Sequence, residues 1–309
     1  MTTVTDTPPP SPPQSNAKRM ARRFRRHRLA LGSLVVLILL ALLSLGAPLI
    51  EALLGIDAET TNLFQRFQPP SAAHPLGTDE AGRDVLARLL HGGRVSLAVA
   101  MVAALCSAII GTLIGLFAGY HGGWADTLLM RFTDGVIALP LLPLLIVLAA
   151  IDLNKLGLPD SITQSEDVSL YRIVVIIALF GWTTVARLVR AETLSLKQRE
   201  FVRAAVAQGA RPGRIMRTHI LPNAISPIIV ATTLSVGSII LFESVLSFLG
   251  LGIQPPVASW GNMLTNAQDL IWDAPLLAVW PGLLIFVTVI AFNFLGDGLQ
   301  DAMDPRAVD

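Results

Sequence analysis

Long charge-free apolar runs alternate with short charge-bearing segments along this chain. A hydrocarbon core about 30 Å thick needs roughly 20 apolar residues in a helix that rises about 1.5 Å per residue. On that measure six spans are predicted: Leu29 to Ile50, Val95 to Ala118, Gly135 to Ile151 with a start nearer Phe132, one between Arg172 and Arg187, Ala224 to Phe242 continuing past Glu243 to about Leu251, and Ala274 to Gly296. The fourth has only 14 uncharged residues. It borrows a turn at one end, with Arg187 reaching the headgroups on its flexible stem. Six spans return both termini to one side, and the predicted class is an all-α membrane protein.

Charge placement orients it. Seven basic residues crowd positions 18 to 28, and eight lie between the fourth and fifth spans, from Arg187 to Arg217. Both groups fall on one side of a six-span arrangement. With Arg131 and Arg306 that side holds 17 of the 23 Lys and Arg, while Leu251 to Pro275 holds none. Cytoplasmic loops hold the excess of basic residues, so both termini are expected in the cytoplasm.

Composition removes other classes. The chain is 53% hydrophobic and 15% charged with a mean hydropathy of +0.62, against about 25% charged in soluble domains. A formal charge of +1 points to no nucleic-acid partner. The single cysteine, Cys106, excludes an internal disulfide and a CxxC motif. The five histidines have no metal-ligand spacing and no phosphate-binding glycine loop occurs, so no catalytic residue, metal site or cofactor is expected in the chain. The first 17 residues, with Pro8-Pro9-Pro10-Ser11-Pro12-Pro13, cannot bury a core and read as a flexible or polyproline tail. An arginine run before an apolar stretch also suits a signal peptide, with Ser44-Leu45-Gly46 as a cleavage-site mimic. The stretch is too long for that and five spans follow it, so an uncleaved anchor is expected.

Several positions stand out within the spans. Ala103, Ser107, Gly111, Gly115 and Gly119 repeat every four residues and form a small-residue face for close helix approach, either within the chain or against a second membrane subunit. Glu243 is an acidic group inside a span, costing about 2.5–3.5 kcal/mol at a bilayer centre, so it should face protein. A structural or pathway-lining role is favoured over proton relay. Asp126, Arg131 and Asp134 read as interfacial residues with a salt bridge available. Pro140, Pro143, Pro227 and Pro281-Gly282 are expected to bend their helices, as static shape or as moving parts.

The basic segment between the fourth and fifth spans is the most informative. A helix from about Ser195 to Gln208 would stop at Gly209, and Pro212 suits the first turn of a second helix, making an elbow. An ordinary basic interfacial helix explains the arginines of this segment. It does not explain small residues at the bend, which let a partner approach the backbone.

This elbow resembles the EAA loop of ABC importer permeases, whose pattern is Glu-Ala-Ala, three residues, Gly, nine residues, then Ile-x-Leu-Pro. Ala204, Ala205, Gly209, Leu221 and Pro222 match in register; Arg203 replaces the Glu and His219 the Ile. Two further blocks, His74-Pro-Leu-Gly-Thr-Asp79-Glu80-Ala-Gly-Arg-Asp84 and Glu243 to Leu264 with Ser259-Trp260-Gly261, resemble the C-type permease of dipeptide, oligopeptide and nickel importers. The ending Gly296 to Arg306 is also similar to that family's.

The resemblance implies a type I ABC importer permease fold in a bacterial inner membrane. It also implies half of a translocation pore for peptides, nickel or another small solute being the alternative. Its partners would be a second homologous permease, two cytoplasmic ATPase domains that bind ATP and Mg, and an extracytoplasmic peptide-binding protein. In that scheme Arg203, Ala204, Ala205, Gly209, Leu221 and Pro222 form the ATPase-coupling loop, and Asp79, Glu80, Asp84 and Trp260 are candidate contacts for the binding protein. The chain divides into a tail (1–28), a first span with an outer loop (29–94) and a five-span core (95–309) with the coupling segment at about 191–223. The rival class, an ion-coupled carrier, needs a coupling site at mid-membrane in repeated broken helices; Glu243 alone supports it and no internal repeat is visible. An intramembrane enzyme lacks a paired nucleophile and base.

Overall fold

A computed structural model describes residues 16–157, 159 and 168–303. The proline-rich tail before Asn16 and the end of the final block, Asp304-Pro305-Arg306, lie outside the described residues. The described chain is helical, with one isolated antiparallel bridge between Thr78 and Asp84.

The first apolar run forms α2 (Arg28–Leu45) and α3 (Ala47–Leu54), broken at Gly46, so the expected continuous span to Ile50 is interrupted. Ahead of it, α1 (Asn16–Arg26) packs on α2 and on the last helix. The second span is α4 (Val85–His121), 37 residues long, beginning well before the apolar window at Val95. Its start is set by Asp84, whose carboxylate accepts the Ala87 N–H at 2.9 Å and caps the helix. The division at 94/95 therefore falls inside one helix.

The third apolar run is two helices, α5 (Gly123–Ala138) and α6 (Leu141–Ala149), which meet at Leu139-Pro140 with an 83° bend. Pro140 cannot donate a helical hydrogen bond, so the bend falls where the sequence weakens the ladder. The remaining long helices are α7 (Val168–Lys197), α10 (Leu221–Phe248) and α12 (Leu276–Met303), the last preceded by a single turn, α11 (Ala267–Leu270). Among the described residues five helices are thus long and apolar enough to cross a bilayer, and the bent pair makes six if it is one span.

The main core lies where α4, α7, α10 and α12 converge, around Val99, Ile173, Ile240 and Phe292, with Leu37 of α2 against it. The most extensive pairing is α4 with α7, and the small-residue stripe accounts for it. A β-carbon on Gly111 would meet the Ala186 nitrogen at 2.9 Å, one on Gly115 the Val189 Cβ at 2.9 Å, and one on Gly119 the Thr193 Cβ at 2.7 Å. Ser107 sits opposite Gly181 on the same face. Ser107, Gly111, Gly115 and Gly119 thus lie against α7 of the same chain.

Candidate functional site

The basic elbow joins two of the long helices. α7 runs on to Lys197, the chain turns at Gln198-Arg199, and α8 (Glu200–Ala207) follows, so the expected single helix from Ser195 is split. The split lets Val202 and Ala205 turn inward onto Leu116, Val185 and Val189, together with Ile215 and Ile220 from the far side of the bend. Full burial of a side chain such as Val202 or Ile215 contributes about 1.5–3 kcal/mol, which fixes the elbow to the ends of α4 and α7. Gly209 follows α8 with φ +77°, a left-handed turn in which a β-carbon would meet nothing within 4 Å. Beyond it come α9 (Pro212–Ile215) and a π-helical turn at Met216–Ile220. The wide turn ends at Leu221, next to Pro222, so the missing proline N–H interrupts nothing and the helix continues as α10.

The outward surface of this elbow carries Arg203, Ala204, Gly209 and Pro222. Ala205 is buried and Leu221 half-buried, so these two support the surface from beneath. The surface also includes Phe201 and Val206, apolar side chains that are 44% and 53% exposed. The sequence reading singles out neither; two apolar residues beside the small ones were the available signal.

Above the elbow, α7 and α10 form the walls of a cavity of about 1250 Å³, with Leu141 and Leu145 of α6 also facing it. Hydroxyls and an amide line it at Thr184, Ser226, Ser235, Ser238 and Asn223, between apolar patches at Ile177, Phe180, Leu234 and Phe242. Its basic end is bordered by Met20 and Arg23 of α1, Glu192 of α7, and Gln300 and Met303 of α12. The same two helices therefore hold the elbow and line the cavity.

Glu243 is not part of that lining. It is fully buried; Ser247 Oγ donates to its Oε1 at 2.8 Å and Ser96 Oγ to its Oε2 at 3.3 Å. Ser96 in turn accepts the Trp260 backbone N–H at 3.1 Å, and Ser247 accepts that of Ile253 at 3.1 Å. The carboxylate thus ties the segment after α10 back onto α4 and α10.

Three of the four residues expected to touch a binding protein are buried. Asp79, Asp84 and Trp260 are 5%, 1% and 1% exposed. Asp79 accepts the backbone N–H groups of Ala81 and Arg83 at 2.8 and 2.9 Å and the Arg83 Nε at 2.8 Å, and it faces Arg88 Nε at 3.4 Å. Asp84 caps α4, with His74 Nδ1 at 3.0 Å from its other oxygen. Trp260 donates its indole N–H to the Leu89 carbonyl at 2.9 Å. Asp79 and Asp84 hold the segment before α4 to that helix and Trp260 holds the segment after α10 to it, and buried groups so satisfied have nothing left to offer a partner. Glu80 remains half-exposed, beside Arg83 at 3.6 Å. The segment before α4 also shows Leu63 and Phe64, which are 68% and 99% exposed.

A family model described as binding-protein-dependent transport system inner membrane component matches residues 111–309. A second, the N-terminal TM domain of oligopeptide transport permease C, matches residues 15–70. The chain is 38% identical to the dipeptide transport system permease protein DppC of Alkalihalophilus pseudofirmus, over 99% of this chain and 96% of that one. It is 40% identical to the glutathione transport system permease protein GsiD of Pectobacterium atrosepticum, over 92% and 89%. It is 36% identical to the oligopeptide transport system permease protein OppC of Bacillus subtilis, over 92% and 88%. Helices that carry an elbow at one end and enclose a cavity between them are what such a chain needs, and this one belongs to the family of binding-protein-dependent transport system inner membrane components.

Proposed function

We propose that this chain forms half of the pathway of an ATP-driven peptide importer, with a second homologous permease forming the other half. The observation that carries the reading is the shared use of α7 and α10, which flank the elbow and line the cavity. A nucleotide site is supplied by two cytoplasmic ATPase domains, which bind ATP and Mg and dock on the exposed face of the elbow. The basic end, with α1 and the elbow, faces the cytoplasm. The outer loop around Leu63, Phe64 and Glu80 receives the peptide-binding protein.

The cavity lining suits a peptide. Hydroxyls and amides can exchange hydrogen bonds with any peptide backbone, and the apolar patches tolerate varied side chains. The lining offers one carboxylate, Glu192, and neither imidazole nor thiolate, which is a poor set for holding nickel. The dipeptide, oligopeptide and glutathione relatives support the same cargo class.

The test is purification of the tagged chain from its native membrane in mild detergent, with mass spectrometry and an ATPase assay of the eluate. Recovery of a second permease and a nucleotide-binding subunit with hydrolysis supports the proposal. A chain recovered alone, from a preparation that keeps other complexes intact, contradicts it.

A further inference from the structure

Helix α5 is attached to the rest of the chain in an unusual way. Thr133 is its one buried residue, and an exposed apolar edge runs along Trp124, Leu128 and Phe132. At its start Gly122 and Gly123 both have positive φ, +66° and +58°. At its end the chain breaks at Leu139-Pro140 and leaves at 83° into α6. A rod between two such joints would swing if nothing held it.

Besides its packing on α4 next to the joint, side-chain ties hold it to α7. The Arg190 guanidinium clasps Asp126 through Nε and Nη2 at 2.5 and 2.6 Å. Arg187 Nη2 reaches Asp134 Oδ1 at 2.5 Å, and the Phe132 ring stacks on Trp182 at 6.1 Å between centroids. A two-point arginine–carboxylate contact fixes orientation as well as distance, which a single point charge does not. The two arginine ties lie on the half of α7 that runs into the elbow, and Trp182 lies at its midpoint. α7 is itself fastened to α4 by the glycine face, and Lys197 Nζ donates to the Tyr120 carbonyl at 2.5 Å beside the joint.

We infer that α5 moves as one body with the elbow end of α7, that Asp126 and Asp134 are the positioning residues that lock it there, and that flexing concentrates at Leu139-Pro140. The inference rests on the importer reading, since it takes the ATPase as the source of motion. Leu141 and Leu145, immediately past the hinge, face the cavity. A push on α8 is then delivered through α7 and α5 to the wall of α6. Hinges of this kind are a few element-terminal residues that absorb the dihedral change while the bodies on either side stay rigid.

The experiment uses the intact complex with Cys106→Ser in this chain, and pairs of spin labels at exposed positions. One pair, Leu128→Cys with Ala191→Cys, lies within the proposed body; the other, Leu128→Cys with Val147→Cys, spans the hinge. Distances are measured without nucleotide and with ATP trapped, and hydrolysis is measured on the same samples. The inference expects the first distance to hold and the second to shift. A constant hinge distance with a changing α5–α7 distance overturns it. A complex that hydrolyses no ATP contradicts the importer reading and the inference with it, whereas a hydrolysing complex with the wrong distances contradicts the inference alone.

In unlabelled complexes, Asp126→Ala with Asp134→Ala should lower peptide taken up per ATP hydrolysed by about two- to thirty-fold, the range for changes along a coupling route. Exchanging charges, Asp126→Arg with Arg190→Asp, should recover part of that ratio. An unchanged ratio in the alanine variant would remove Asp126 and Asp134 from the route.

Discussion

Glu243 of α10 and Ser96 of α4 share a buried side-chain hydrogen bond of 3.3 Å across 147 residues of sequence. A second serine, Ser247, donates to the other carboxylate oxygen. Glu243→Leu strands two buried hydroxyls, each costing about 1–3 kcal/mol, and should lower the melting temperature and the folded yield. Glu243→Gln keeps a partner for both and should retain most uptake. Uptake and thermal unfolding measured on both variants decide the matter: a stable but inactive Gln variant would point to proton coupling instead.

The α4–α7 contact is set by missing side chains. Gly115→Leu places a branched chain where even a β-carbon would meet Val189 at 2.9 Å. Overpacking costs typically about 1–3 kcal/mol, so the variant should lose folded protein before it loses any other property. Gly282→Ala is the contrast, since nothing lies within 4 Å of its added carbon. Removing glycine from a helix interior there gains roughly 0.5–1 kcal/mol. Detergent thermal-shift curves should separate the two.

Asp79 is expected to matter for folding. Its removal leaves the buried Arg88 guanidinium short of its acidic neighbour, and breaking a buried ion pair costs about 3–5 kcal/mol. Asp84→Ala removes a helix cap worth about 0.5–2 kcal/mol. Both variants should show reduced stability, while the molecules that do fold bind the peptide-binding protein with unchanged affinity. A normal melting curve with weakened binding would restore these acids to the docking surface.

Gly209 has a different signature. Its left-handed backbone penalises any β-carbon, roughly 1–2 kcal/mol, yet the space around it is open. Gly209→Trp should therefore leave a folded permease whose elbow no longer admits the ATPase, with hydrolysis and uptake uncoupled. The check is the ratio of peptide transported to ATP hydrolysed; a ratio equal to that of the parent would exclude Gly209 from the docking surface.

Much of this was readable in advance because it depends on period and length. The apolar windows located the spans, Pro140 marked the break in the third, and the four-residue spacing of Ser107, Gly111, Gly115 and Gly119 marked a helix contact. What the windows could not locate was where helices extend beyond them: α4 begins at Val85 because Asp84 caps it, and α12 continues through Gly296 to Met303. Nor does sequence distinguish a buried acid from an exposed one. Asp79 and Asp84 stand in the segment before α4 and Trp260 in the segment after α10, and only the fold turns all three inward. Two local cues were present, an aspartate just before an apolar helix and an Asp79–Arg83 pair four residues apart. The turn at Gln198-Arg199 had no glycine or proline to announce it; inward packing of Val202 and Ala205 produces it.

On the importer reading ATP, acting through partner subunits, drives peptide movement along the cavity between α7 and α10. The most direct test is uptake of a labelled peptide into vesicles holding the purified complex, with the peptide-binding protein outside and ATP within, compared with vesicles given only a proton or sodium gradient. Accumulation that requires ATP and the binding protein and ignores the gradients is the predicted result. Accumulation driven by a gradient in the absence of ATP would contradict it.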